Sequence, residues 1–149
     1  MMIKEFQGDF RWLSNFYPCE IEYEGLVFDS VEKAYQSAKT NDFKLREEIS
    51  LLASLGKAKR FFRNRSPDVR KDWNEVKLSV MRELLHKKFM DNDYFRRKLL
   101  STGNEGIQEG NFWGDRFWGI DLKTGEGQNI LGKMIMDIRK EIKEEEGNE

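Results

Sequence analysis

A chain of 149 residues with a net charge of -1, 38% hydrophobic and 13% aromatic, holds enough apolar material for a buried core, which excludes an intrinsically disordered protein. No apolar run approaches the ~20 residues that span a bilayer, and Met1-Met2-Ile3-Lys4-Glu5 lacks an apolar leader, so a cytoplasmic protein with no membrane partner is expected. Cys19 stands alone and reads as a small buried hydrophobe, and the single His86 has no partners for a histidine metal site or a Ser-His-Asp triad. Chemistry therefore falls to Glu, Asp, Lys, Arg, Tyr and Asn, with no metal and no cofactor expected.

In chain order the pattern predicts an α+β fold in one domain over residues 1–149, a small strand-rich layer packed with several helices. Ile3–Phe6 is a short strand candidate, with a turn at Gly8-Asp9. Phe10–Pro18 is rich in aromatics yet broken by Ser14, Asn15 and Pro18, which suits a ligand-facing loop as well as a core corner. Cys19–Tyr23 alternates polar and apolar, Glu24-Gly25 is a tight connection, and Leu26–Phe28 completes a hairpin. One helix runs from Ser30 to about Thr40. A second starts at Asn41-Asp42, turns Leu45, Ile49, Leu52 and Ala53 inward, and stops at Gly56. A third opens at Ser66-Pro67 with a stripe of Trp73, Leu78, Met81, Leu85 and Phe89. A fourth carries Tyr94, Phe95, Leu99 and Leu100 and ends at Gly103. Ile107–Glu109 and Phe117-Trp118 are strand or loop candidates. Asn129 caps a last helix facing Leu131, Met134, Ile135, Ile138 and Ile142 inward. Residues from about 141 to 149 read as a fraying acidic tail.

Four constellations are candidates for chemistry. In Ser30–Lys39, the residues Glu32, Tyr35 or Gln36, and Lys39 line one helix face, and seven helical positions rise roughly 10 Å, too far for an i, i+4 ion pair. The acid and the amine can instead flank a ligand group, as acid/base and as cation or nucleophile. The other reading of the same spacing is a capping box, with Asp29 as N-cap and Glu32 three residues on. In Glu109–Gly119, two Trp-Gly pairs, Asn111, Glu109 and Asp115 combine close backbone approach with ring faces, which suits a site as well as a Trp-rich turn. Gly125-Glu126-Gly127-Gln128-Asn129, ahead of a helix, offers free amides to an anion. Arg63, Arg65, Arg70 and Lys71 can add bidentate phosphate contacts. Between Lys57 and Lys98 stand 14 Lys plus Arg against 6 Asp plus Glu, and this basic middle suits a phosphorylated sugar or a nucleic acid as well as solvated helix faces.

Together these segments resemble the NADAR family. The resemblance rests on Leu13-Ser14-Asn15-Phe16, the Glu32-x-x-Tyr35-Gln36-x-x-Lys39 pattern, Arg63-Asn64-Arg65 with Arg70-Lys71-Asp72-Trp73, Val80-Met81 with Lys88-Phe89, Leu100–Gly103, Ile107-Gln108-Glu109, Asp115-x-x-Trp118-Gly119, and Gly125-x-Gly127-x-Asn129-x-Leu131-Gly132 running into Met136 and Arg139. It implies an N-glycosidase that cleaves ribose C1 from an exocyclic amine. Implied substrates are ADP-ribose on guanine in nucleic acid, where a toxin's modification is reversed, or phosphoribosylamino-pyrimidine intermediates of riboflavin synthesis. Carried over by position, Glu32 is the catalytic carboxylate and Lys39 the amine that captures the opened ribose. Asp115 and Trp118 line the ribose and base pocket. Asn15, Phe16, Tyr35, Gln36, Arg63, Arg65, Glu109, Asn111, Trp113, Gly119, Gly125, Gly127 and Asn129 are further substrate-binding candidates. The added Asn111-Phe112-Trp113-Gly114 leaves open whether Trp113 or Trp118 faces the ligand. Rival classes are a non-catalytic ADP-ribose or nucleotide reader and a general nucleic-acid-binding module; oligomeric state is left open.

Overall fold

The structure, a computed structural model, describes residues 1–147. The order is β1 (Met2–Ile3), a 3₁₀ segment (Gly8–Leu13), β2 (Ile21–Tyr23), β3 (Leu26–Phe28), α1 (Val31–Ser37), α2 (Phe43–Ser50) and α3 (Leu55–Lys59). A 3₁₀ turn (Ser66–Asp68), α4 (Trp73–Phe89), α5 (Asp93–Ser101), β4 (Gly106–Ile107), β5 (Gly110–Asn111), β6 (Ile120–Asp121) and α6 (Ile130–Gly147) follow. The architecture is α+β, as expected, and the strand content of the described residues is three two-stranded pairs: β1·β4 and β5·β6 parallel, β2·β3 antiparallel. The chain divides into two compact units, Asn15–Lys88 and a second made of Met1–Ser14 with Phe89 onward.

In the unit Asn15–Lys88, β2 and β3 pair in register Ile21↔Phe28 to Tyr23↔Leu26. Glu24 and Gly25 both take positive φ, 52° and 83°, the backbone of a type I′ turn, whose twist matches that of the flanking strands. α1 packs against both strands, α2 and α3, and all seven of its residues are buried. A helix buried on every side must satisfy its polar groups internally. The Lys33 ammonium accordingly binds Asp29 at 3.0 Å and the Leu52 carbonyl, and the Ser37 hydroxyl donates to Ala34 O at 2.6 Å. α1 ends at Ser37, short of the expected Thr40, because the carbonyls beyond it are taken elsewhere. Arg70 N donates to Lys39 O at 2.6 Å, and Arg46 Nε to Thr40 O at 2.8 Å.

Further differences follow from local chemistry. Asp42 caps α2 through Lys44 N, but α2 stops at Ser50, Ala53 is exposed, and Gly56 lies inside α3, which Ser54 caps. Pro67 opens only a 3₁₀ turn, because Val69 is extended, so α4 begins six residues after it at Trp73. Leu78 faces solvent, and the buried side of α4 runs through Val80, Met81, Leu84, Leu85 and Lys88.

In the other unit, Asn92 caps α5 through Phe95 N at 3.2 Å, and Gly103 beyond it takes φ 64°, as a helix-ending glycine does. Phe89 meets Trp12 and Phe95 edge-on. α6 buries Leu131, Met134, Ile135, Ile138 and Ile142, as expected. Its end does not fray at 141: Arg96 binds Glu145 at 3.0 Å and Glu146 at 3.3 Å, and helix persists to Gly147. The expected tail's last two residues, 148 and 149, lie outside the described residues.

Candidate functional site

The capping-box reading of Glu32 fails. Ser30 is the N-cap of α1, its hydroxyl accepting Lys33 N at 3.1 Å, and Glu32 is buried at 9% exposure. Its backbone N–H donates to Asn15 O at 3.0 Å, and its Oε1 accepts Gln36 Nε2 at 2.9 Å. Burial pushes the Glu32 carboxyl above the usual carboxylate range, against the Gln36 hydrogen bond and the charges of Lys39 and Lys59, which pull it down.

Lys39 lies just past the end of α1, its N–H donating to Gln36 O at 3.1 Å. Its ammonium stands 5.7 Å from the Tyr35 ring centroid and 6.0 Å from that of Trp73, and these two rings pack edge to face at 5.0 Å. Burial pulls the amine below the ordinary lysine range; the Glu32 charge opposes this and the Lys77 charge adds to it. Burial thus disfavours the charged form of the acid and of the amine alike.

Lys39 opens onto a groove of about 560 Å³ lined also by Lys59, Arg60, Phe62, Arg63, Val69 and Trp73. That volume is in the range of small-molecule sites. Four of its seven side chains are cationic and none is acidic, while Phe62 and Trp73 supply ring faces. Lys59, Arg60, Phe62 and Trp73 escaped the reading of the sequence. Their signal was the basic run from Lys57 to Arg65, and Trp73 passed for core because it falls on the α4 stripe.

The remaining candidates of this unit divide. Phe16 sits beneath Lys59, whose ammonium is 5.5 Å from the ring centroid. Asn15 directs its amide N–H at the Met81 sulfur at 3.6 Å, and its Oδ1, like Gln36 Oε1, is buried with no hydrogen-bond partner among the described residues. Both residues are hydrogen-bonded to Glu32, Asn15 through its backbone carbonyl and Gln36 through its side-chain N–H. Arg63 lines the groove, whereas Arg65 stacks on Phe61 at 4.5 Å. Arg70 is already held bidentately by Asp72, at 2.6 and 3.0 Å, so its fork is occupied within the protein.

The other unit holds the Trp-Gly segment. Asn111 is buried and ties it together, its Nδ2 donating to Glu109 Oε2 and Asp115 O and its Oδ1 accepting Asp115 N. Asp115 Oδ1 accepts Phe117 N and Trp118 N at 3.0 and 2.9 Å, which folds the turn that positions Trp118 edge-on to Phe117. Trp118 is half-buried and Trp113 is exposed at 59%. The expectation of free amides before the last helix is overturned. Gln128, Asn129, Ile130 and Leu131 N–H donate to the carbonyls of Arg116, Gly119, Phe117 and Trp118. Asn129 does not cap α6 with its side chain as expected; the amide bridges Glu109 N and Ile107 O at 3.0 and 2.9 Å. Gly127 at φ 150° lies against Gly119 O, where a Cβ would clash, and Gly125 turns at φ 77°.

Comparison with known proteins adds the following. The NADAR domain model matches residues 3–143. A riboflavin biosynthesis protein of Vibrio vulnificus is 35% identical over 133 residues, which are 89% of this chain and 36% of that protein. The chain thus spans about a third of that relative. N-glycosidase YbiA of Shigella boydii is 38% identical over 135 residues, 91% of this chain and 81% of that protein. The NMR structure of the Escherichia coli protein YbiA superposes with a TM-score of 0.85 at 32% identity, covering 100% of this chain and 88% of that one.

Proposed function

The chain belongs to the NADAR domain family, and from that premise we propose that it is an N-glycosidase whose acid is Glu32 and whose amine is Lys39. The observation that carries the proposal is the cationic, ring-lined groove onto which Lys39 opens. Glu32 does not line that groove but lies buried about two helical turns before Lys39, and burial raises its carboxyl and lowers the Lys39 amine. Cleavage of a ribosyl C1–N bond passes through an oxocarbenium-like state and needs a proton on the leaving nitrogen. The Glu32 carboxyl gives that proton, and the C1–N electron pair leaves with the amine. The neutral Lys39 amine adds to C1, forming a transient imine once the sugar ring has opened, and water hydrolyses it to free ribose and regenerated lysine. The balance is one water consumed and one amine released.

The substrate we favour is ADP-ribose attached to guanine in nucleic acid. Four cations and two rings in the groove suit a diphosphate and a base. Hydrolysis of phosphoribosylamino-pyrimidines is the second reading, favoured by the riboflavin biosynthesis relative. Incubation with ADP-ribosylated DNA and, separately, with a phosphoribosylamino-pyrimidine, followed by chromatography of the released sugar, tests both. Release from either substrate, lost by more than about 100-fold in Glu32→Gln, supports the proposal. Binding of ADP-ribose with no release from either overturns it in favour of a reader. The absence of any membrane-length apolar helix among the described residues fits a substrate met in solution.

A further inference from the structure

We propose that the wall formed by Lys59 and Arg63 reads the phosphates of the ribosyl substrate in order, Lys59 holding the phosphate nearest the reacting sugar and Arg63 a second one; this rests on the N-glycosidase reading. The first support is the composition of the groove. It is lined by Lys39, Lys59, Arg60 and Arg63 with no carboxylate, in a chain whose overall charge is -1. A concave surface of one sign concentrates the opposite charge, so the groove is built for an anion. Lys39, the amine assigned to C1, cannot also serve as a phosphate anchor, because an ion pair there would hold it protonated. The anion must be bound by the others.

Position then separates the remaining cations. Lys59 ends α3, its ammonium over the Phe16 ring at 5.5 Å, and Phe16 directly follows Asn15, whose carbonyl receives Glu32 N–H. Lys59 is thereby tied, through Phe16 and Asn15, to the backbone of Glu32, and this contact puts it on the reacting side of the wall. In a ribosyl phosphate the first phosphate is on the same sugar as the carbon being cleaved, so the cation within reach of the acid meets it. Arg63 lies four residues on, lines the same groove and is exposed, with a planar fork suited to the oxygens of a further phosphate. The Trp73 and Phe62 rings complete the lining.

The consequence is a residue-level test for the number of phosphates. Steady-state kinetics are run on three N-ribosylamines: one without phosphate, one with a single 5′-phosphate, and one bearing ADP-ribose. Lys59→Met is expected to raise KM on both phosphorylated substrates by about tenfold or more beyond whatever it does to the phosphate-free one, which reads the loss of the Lys59 charge beside Glu32 separately from the loss of a phosphate contact. Arg63→Met is expected to raise KM only on the ADP-ribosyl substrate. Lys59→Arg restores most of the affinity, and Lys44→Met, on exposed α2, changes nothing. Both target side chains are exposed, so the variants fold, which a wild-type melting temperature confirms. Calorimetric titration with ribose 5-phosphate and with ADP-ribose reads the same pattern without turnover. Lack of hydrolysis by the wild type, with this binding pattern intact, refutes the glycosidase reading alone. Equal losses on all three substrates, or none in Lys59→Met, refute the phosphate order.

Discussion

Burial around α1 and just past its end disfavours the charged forms of both Glu32 and Lys39, the groups to which we assign the chemistry. The proposed mechanism needs the carboxyl protonated and the amine neutral, two conditions that fail at opposite ends of the pH scale. The pH profile of kcat/KM is therefore expected to be bell-shaped, and Glu32→Gln should leave residual activity with a single limb. Lys39→Arg is expected to abolish turnover, because a guanidinium stays protonated at any working pH. Borohydride in the presence of substrate should trap a covalent sugar adduct on the wild type and none on Lys39→Arg, read by intact-protein mass. The pattern Glu32-x-x-Tyr35-Gln36-x-x-Lys39 was legible as a stripe, since spacing alone aligns the residues. What spacing could not tell was that Lys39 lies beyond the helix end, where Arg70 N–H takes its carbonyl from a distant part of the sequence; the Ser30 cap, by contrast, is local, made to Lys33 N.

At the scale of elements, the β2–β3 hairpin was the most legible piece, because alternation and a Glu-Gly connection specify its turn locally. Glu24 adopts a φ of 52° that Asn tolerates better. Glu24→Asn should gain about 0.5 kcal/mol, visible as a rise of one to two degrees in melting temperature. The glycine-rich segment reads differently in sequence and in space. Its glycines looked like ligand approaches, yet a Cβ on Gly119 would run into the Glu109 carboxylate and backbone carbonyl. Gly119→Ala is therefore expected to lose about 2–4 kcal/mol in chemical unfolding, because backbone cannot yield as a flexible side chain can. The helix stop at Gly56 and the helix start at Ser66-Pro67 were misplaced for a similar reason. Pro and Gly mark local conformations, but whether a helix continues past them is decided by neighbours the sequence does not name.

For the whole molecule, the buried charges set the sign of the pH dependence of stability. Lys88 is fully buried, and burial pulls its amine down to about 7, partly opposed by Cys19. In the unfolded chain it titrates near its ordinary value of about 10.4, so between those values the unfolded state holds more protons and stability rises with pH. Lys39 contributes in the same direction from its own lowered value upward, whereas Glu32, raised, removes stability as pH climbs from the ordinary carboxylate range through its folded value. Lys88→Met should flatten the rise above pH 7 and stabilise the protein most at pH 6 and below, where wild-type Lys88 is forced to carry a buried charge. Urea melts at pH 6 and pH 9 on both proteins measure this. A Lys88→Met variant no more stable than wild type at pH 6 would contradict it.

The tether between Lys39 and the start of α4 has one more outcome. Arg70 grips the peptide carbonyl of Lys39 while its own guanidinium is pinned by the neighbouring Asp72 carboxylate. The amine we assign to C1 is thus carried by a backbone that Arg70 N–H anchors from a distant part of the sequence, with the Asp72 carboxylate holding the Arg70 side chain in place. Loosening that mooring through Asp72→Asn should slow the chemical step while leaving ligand affinity in place, so the tempo of the reaction can be tuned from outside the cavity.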